Sequence, residues 1–198
     1  MSLTGEEARV LEQEILACTR CRLASGRKHA VPGEGPATSC ILLVGEAPGE
    51  QEDRTGRPFA GRAGTVLDSL LASAGLSRND LFITNVLKCR PPKNRDPRKD
   101  EIKACKPYLD RQIGLVCPSV IVPLGRFSAA VVMGQFGIPG KKISEIHGMA
   151  FPVDAPHGPV TIFPVYHPAA VTHNPALREQ LAADFRHLKE ILTDSPPE

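Results

Sequence analysis

Six cysteines stand in this chain, and four of them fall into two groups whose spacing suggests a metal site. Cys18 and Cys21 form C-x2-C, Cys89 and Cys105 form C-x15-C, and Cys40 and Cys117 lie outside that scheme. The opening stretch has no apolar core of the kind a secretory signal carries, so a disulfide framework is the weaker reading. Spacing alone leaves zinc and an iron–sulfur cluster both open, since each accepts four thiolates. A four-iron cluster with four thiolates would carry roughly two net negative charges, which the neighbouring Arg20, Arg22, Lys88 and Arg90 are placed to offset.

A second constellation is scattered more widely. Glu46, Asn85 and His167 each sit at or just beyond the end of a short apolar run, bringing a carboxylate, an amide and an imidazole into play. Taken singly, Glu46 reads as a helix cap, Asn85 as a turn residue and His167 as a loop histidine. The stretch 45–64, GEAPGEQEDRTGRPFAGRAG, matches neither G-x-x-x-x-G-K-[ST] nor G-x-G-x-x-G, so a nucleotide cradle is disfavoured. Its glycines instead allow close approach of backbone to a flat ligand. Phe59 offers a stacking face, and Gly61 to Gly64 could present helix N-terminal amides to a phosphate.

The elements that must position these groups follow from periodicity. CILLVGE (40–46), LFITNVL (81–87), SVIVPLG (119–125) and VTIFPVYHP (160–168) are short continuous apolar runs, the pattern of strands covered on both faces. Pro123 argues that the third strand ends early or lies where a donor is dispensable. Between the strands, helical spacing appears at Val66 to Ala74, with Gly75 as C-cap, and around Glu101 to Ile113. A further helix runs from an Asn174 cap through Leu177 to Leu192, and one before the first strand carries Leu11, Ile15 and Leu16 behind a Thr4-x-x-Glu7 capping box. A hairpin is expected around Ile146 to Val153. Strands spaced by about 35–40 residues with helices between them imply right-handed parallel crossovers, hence a three-layer α/β/α sandwich on a four-stranded parallel sheet. In such a sheet ligands bind beyond the carboxyl ends of the strands, where Glu46, Asn85 and His167 all fall.

Composition agrees with a single globular domain over 1–198: 198 residues, 41% hydrophobic and 23% charged, without a long apolar span. A soluble, cytoplasmic chain and a monomer are expected. Net charge is only +2, so any nucleic-acid footprint must be local. It is concentrated between Lys88 and Lys106, with a net excess of +5, and again at Arg20, Arg22, Arg27 and Lys28.

GEAPGEQED, TGRPFAGRAG, TNVLKCRPPKNRDP and HPA, in this order, resemble the family 4 uracil-DNA glycosylases, and the resemblance spans about Leu11 to Leu192. It implies a uracil-DNA glycosylase-like fold and a monofunctional base-excision repair enzyme that flips uracil out of single- or double-stranded DNA and hydrolyses its glycosidic bond. It also implies a [4Fe-4S] subsite built from about 18–21 and 89–105, with Cys18, Cys21, Cys89 and Cys105 as ligands, zinc being the alternative. Uracil would be held by Gly45, Glu46, Ala47, Phe59, Asn85 and His167. Glu46 and His167 would be catalytic, and Glu52 would exclude the thymine methyl group. Arg62, Lys88, Arg90, Val171 and His173 would contact DNA, with Val171 as a small wedge where the family carries bulkier apolar residues. A carboxylate at Glu46 distinguishes the chain from the family 5 glycosylases, and no histidine-bearing insertion of the DNA-crosslinking relatives follows the second strand. The competing reading is a metal-stabilised DNA-binding module, or a reader of damaged bases, without glycosylase activity.

Overall fold

The computed structural model describes residues 5–194, so the Thr4 capping box lies outside the described residues. Five strands form one sheet in the order β2-β1-β3-β5-β4: β1 Ile41–Gly45, β2 Phe82–Asn85, β3 Val120–Pro123, β4 Phe151–Ala155 and β5 Gly158–Ile162. β2, β1, β3 and β5 are parallel, and β4 pairs antiparallel with β5. The expected four-stranded parallel sheet is therefore a five-stranded mixed one. The expected hairpin lies further on than Ile146 to Val153, and its second arm is the fourth parallel strand itself. β4 escapes the apolar-run criterion because it is an edge: its residues alternate between half-buried and exposed, and it tolerates Pro152. β5 stops at Ile162, well short of Pro168, because Pro164 interrupts it; backbone bonds from Phe163 to Ile121 and from Val165 to Pro123 continue the alignment.

Both faces of the sheet are covered, which is why the central strands read as unbroken apolar runs. Ile41 and Leu43 pack with Leu67, Leu70 and Leu71 of α3 (Arg62–Ser73) and with Leu181, Phe185 and Leu188 of α8 (Leu177–Asp194). Leu42 and Val44 pack on the other side with Leu109 and Ile113 of α4 (Lys99–Val116) and with Val132 and Met133 of α5 (Arg126–Gln135). This gives the three layers of the sandwich. A third, smaller core joins Leu11 and Ile15 of α1 (Glu6–Leu16) to Leu87 and Tyr108, and the four paired cysteines border it. The short helices α2 (Glu50–Thr55), α6 (Ile143–Ile146) and α7 (Ala170–His173) complete the set. No helix among the described residues is long and apolar enough to cross a membrane.

Candidate active site and cysteine-lined void

The parallel strands deliver their last residues to one edge, where a cleft of about 440 Å³ opens. Glu46, Ala47, Glu52, Phe59, Asn85 and His167 all line it, together with Asn94 and Arg95. Gly45 is the hinge of this assembly. A Cβ there would stand 2.2 Å from Asn85 Oδ1 and 2.9 Å from the Phe59 ring, so only glycine lets amide and ring converge. Its carbonyl and that of Glu46 accept from Val86 and Leu87 N–H at 2.9 and 3.0 Å, which ties the loop after β1 to the end of β2.

His167 enters from the segment after β5. The ring lies 5.7 Å from that of Phe59 with planes inclined by 26°. Gly125, at φ +88, permits the approach, since a Cβ there would meet His167 Cβ at 2.9 Å. The Ala169 backbone N–H donates to His167 Nδ1 at 3.1 Å, so Nδ1 is the acceptor and the ring proton resides on Nε2. Burial lowers the imidazole pKa to about 4, only partly opposed by the charge of Glu52, and the ring is neutral at physiological pH. Glu46 moves the other way. Burial, reinforced by the charge of Asp96 and opposed by Arg126, pushes its carboxyl up to about 7. The cleft thus holds both a neutral N–H donor and a carboxyl poised to exchange its proton near neutrality.

Glu52 is buried, and its carboxylate accepts from Gly49 N–H at 3.0 Å and Gly61 N–H at 2.8 Å. It braces two loops across the cleft wall rather than projecting freely. Asn94 and Arg95 are not among the expected site residues, although both fall within the basic segment from Lys88 to Lys106. Lys93 and Asn94 both adopt left-handed backbone conformations, φ +55 each, which turn the polar loop back over the cleft. Their positions in a Pro-rich segment were the available signal.

Two expected DNA contacts are elsewhere. Lys88 is 1% exposed, and its Nζ donates to Thr84 Oγ1 at 2.7 Å, Gln112 Oε1 at 2.7 Å and the Asn85 carbonyl at 2.5 Å. It cannot reach a phosphate. Val171 is 4% exposed and belongs to the core against α8, because the single turn of α7 rotates it inward. The wedge assignment is thus overturned, and the partly exposed residues just after Pro168 are Ala169 and Ala170. Arg62 is exposed at the start of α3. Arg90 is half-buried, its Nε donating to Asn94 Oδ1 at 2.8 Å. The side chain of His173 lies outside the described residues.

Cys18, Cys21, Cys89 and Cys105 line a single small void with Arg27, Lys88 and Tyr108. Three of the sulfurs accept hydrogen bonds: Cys18 from Arg20 N–H at 3.5 Å, Cys89 from Arg27 Nη1 at 3.1 Å and Cys105 from Lys88 N–H at 3.2 Å. Such donors favour thiolates, the form in which cysteines bind a metal. Among the described residues no three His, Cys, Asp or Glu side chains gather closely enough to hold one metal ion. Burial pushes the Cys105 thiol up to about 11, although Lys88 opposes the shift, and a bound metal would favour its thiolate. The guanidinium that meets a cysteine sulfur is Arg27; Arg22 pairs with Asp100 at 2.8 Å instead.

Residues 32–194 match the family model for the uracil DNA glycosylase superfamily. The chain is 46% identical over 182 residues to a type-4 uracil-DNA glycosylase of Sulfurisphaera tokodaii, covering 91% of this chain and 83% of that one. To the type-4 uracil-DNA glycosylase of Archaeoglobus fulgidus it is 44% identical over 185 residues, 93% of each. Against a type-5 uracil-DNA glycosylase of Thermus thermophilus identity is 35% over 173 residues, 71% of this chain and 78% of that one. With its sheet, its cleft and these likenesses in agreement, the chain belongs to the uracil DNA glycosylase superfamily.

Proposed function

We propose that this protein excises uracil from DNA by flipping the nucleotide into the cleft and hydrolysing the N-glycosidic bond. The carrying observation is the convergence of Glu46, Phe59, Asn85 and His167 on one cleft, with the His167 tautomer fixed by Ala169. Phe59 stacks on the base. The Asn85 amide, one donor and one acceptor, matches uracil O4 and N3–H, whereas cytosine presents the inverse pair. As the bond breaks, electron density moves onto the ring and Nε2–H of His167 stabilises it at O2, in the manner of an oxyanion donor. Glu46, ionised, lies toward the sugar, where it supports the oxocarbenium-like centre and accepts a proton from the attacking water. Glu52, braced by two backbone amides, denies space to the thymine methyl group. Arg62 and Arg90 contact phosphates. A reader of damaged bases would need the slot but would gain nothing from a carboxyl held near neutrality.

With Ala169 and Ala170 at the tip after Pro168, little bulk is available to wedge a duplex open, and we expect single strands to be the better substrate. The test is release of free uracil from single- and double-stranded oligonucleotides across pH. Glu46 must be ionised, so kcat/KM is expected to rise with pH up to a limb near 7 and then level off, since a raised pKa leaves the active form populated only above it. Glu46→Gln should remove that limb and lower the plateau. A protein that leaves both substrates intact at every pH ends the assignment.

Cys18, Cys21, Cys89 and Cys105 are assigned to a [4Fe-4S] cluster. When bound, such a cluster would supply a covalent cross-link between the chain after α1, the end of the β2 segment and α4. A brown preparation with broad visible absorption, bleached by reductant and lost in Cys105→Ser, is the expected result. Colourless protein with one stoichiometric zinc would overturn it.

A further inference from the structure

Phe59 carries an expense that the rest of its loop must offset. Its φ is +50, a left-handed conformation that a bulky aromatic residue rarely adopts, and its ring must nevertheless stay beside Gly45, with the His167 ring 5.7 Å away. Something has to hold it there.

The holder is a guanidinium outside the cleft. Arg78, in the single 3-10 turn before β2, donates from Nη2 to the Pro58 carbonyl at 2.6 Å and from Nη1 to the Phe59 carbonyl at 3.4 Å. It is held in turn by Glu34, whose Oε1 accepts from Nε at 2.9 Å and Nη2 at 2.6 Å, and by Asp68 of α3 at 3.0 Å. Glu34 is itself locked to the sheet. Its backbone exchanges both hydrogen bonds with Ile83 of β2, at 2.9 and 2.8 Å, and Gly33 and Gly35 press against that strand so closely that a Cβ on either would stand 2.8 and 2.0 Å from a backbone oxygen. On the opposite side Gly64 leaves room for the Phe59 carbonyl, where a Cβ would come within 1.7 Å. A rigid line therefore runs from β2 through Glu34 and Arg78 to the backbone of the stacking residue.

We infer that Arg78 is a positioning residue that fixes the Phe59 ring as one face of the base slot, with Glu34 as its anchor. The inference rests on the proposed uracil-excising reading and deepens it. Arg suits the task because its planar fork serves two carbonyls and a carboxylate together, which an ammonium on a flexible stem does less well.

The test compares Arg78→Met, Arg78→Lys and Arg57→Gln in the full, metal-loaded protein. Arg57 also pairs with Glu34, at 3.0 Å, but its side chain is largely exposed and its guanidinium meets that carboxylate rather than the carbonyls that Arg78 holds. Each variant is assayed for uracil excision from single-stranded DNA and for affinity to the same strand bearing an abasic-site analogue, which lacks the base. Because Phe59 acts on the base alone, Arg78→Met should lower kcat/KM by about tenfold or more while abasic-strand affinity stays within about twofold. Arg78→Lys should recover part of the loss, and Arg57→Gln should match the parent. Unchanged kcat/KM in Arg78→Met overturns the inference. So does an equal loss of excision and abasic-strand affinity, or an equal deficit in Arg57→Gln. Should Arg78→Met fail to fold, Arg78→Lys and Glu34→Gln carry the same comparison. Failure of the parent to release uracil would be visible separately and would strike the functional reading.

Discussion

Alanine at His167 is expected to slow uracil excision by about 10²–10³-fold, almost entirely in kcat, because the donor it removes acts on charge that develops only as the bond breaks. The loss should be seen in single-turnover release of uracil from a single-stranded oligonucleotide at saturating enzyme. Two features of the site make the figure large. The ring is neutral, its pKa held at about 4 by burial, so it donates without first having to shed or gain a proton. Its orientation is settled in advance by Ala169 N–H, so no reorganisation accompanies the reaction. Folding should survive, since the side chain lines the cleft rather than the apolar core and its hydrogen bond with Ala169 N–H is local to its own loop. Since His167 stays neutral at ordinary pH, the acid limb near 7 assigned to Glu46 should persist in His167→Ala. Turnover within about threefold of the parent would remove the imidazole from the mechanism, being well below the effect of a lost oxyanion donor.

The parts of this site legible in the sequence share one cause. Glu46, Asn85 and His167 follow apolar runs, and strands buried on both faces leave no polar alternation to confuse the reading, so their ends could be located. β4 was hidden for the converse reason, being a half-exposed edge with a proline. Lys88 and Val171 were misplaced because burial is decided by partners distant in the chain. A lysine in a run of basic residues reads as surface until Thr84 and Gln112, the latter 24 residues away on α4, prove to supply its acceptors. Val171 sits among loop residues, and only the turn of α7 against α8 directs it inward. Arg78 and Glu34 carried no signal at all, because each is an ordinary surface charge until the strap at 33–35 lies on β2.

Alanine at Asn85 is expected to reduce kcat/KM for uracil by about 10³-fold or more, and to shrink the preference for uracil over cytosine by a comparable factor. Both consequences come from the same pair of hydrogen bonds. Once the base fills the cleft and displaces its water, uracil N3–H and O4 would each lack a partner, at about 1–3 kcal/mol apiece, and that penalty is the one cytosine already meets in the parent. The substitution is local because the strand end is held independently of the side chain. Lys88 Nζ grips the Asn85 carbonyl while Thr84 and Gln112 saturate the ammonium, and Gln112 Nε2 donates onward to the Pro32 carbonyl at 2.6 Å. The backbone at Asn85 therefore has no reason to move when its amide is lost, and the melting temperature should change little. Asn85→Asp sharpens the argument. It conserves volume but offers only acceptors, so one oxygen meets N3–H and the other opposes O4, and uracil excision should fall by a similar factor with the slot still filled. Measuring kcat/KM for uracil and for cytosine in the same single-stranded context decides the matter. If Asn85→Ala kept its uracil preference, base reading would have to pass to the backbone of Gly45 to Ala47, and the amide would be left as a packing group against Gly45.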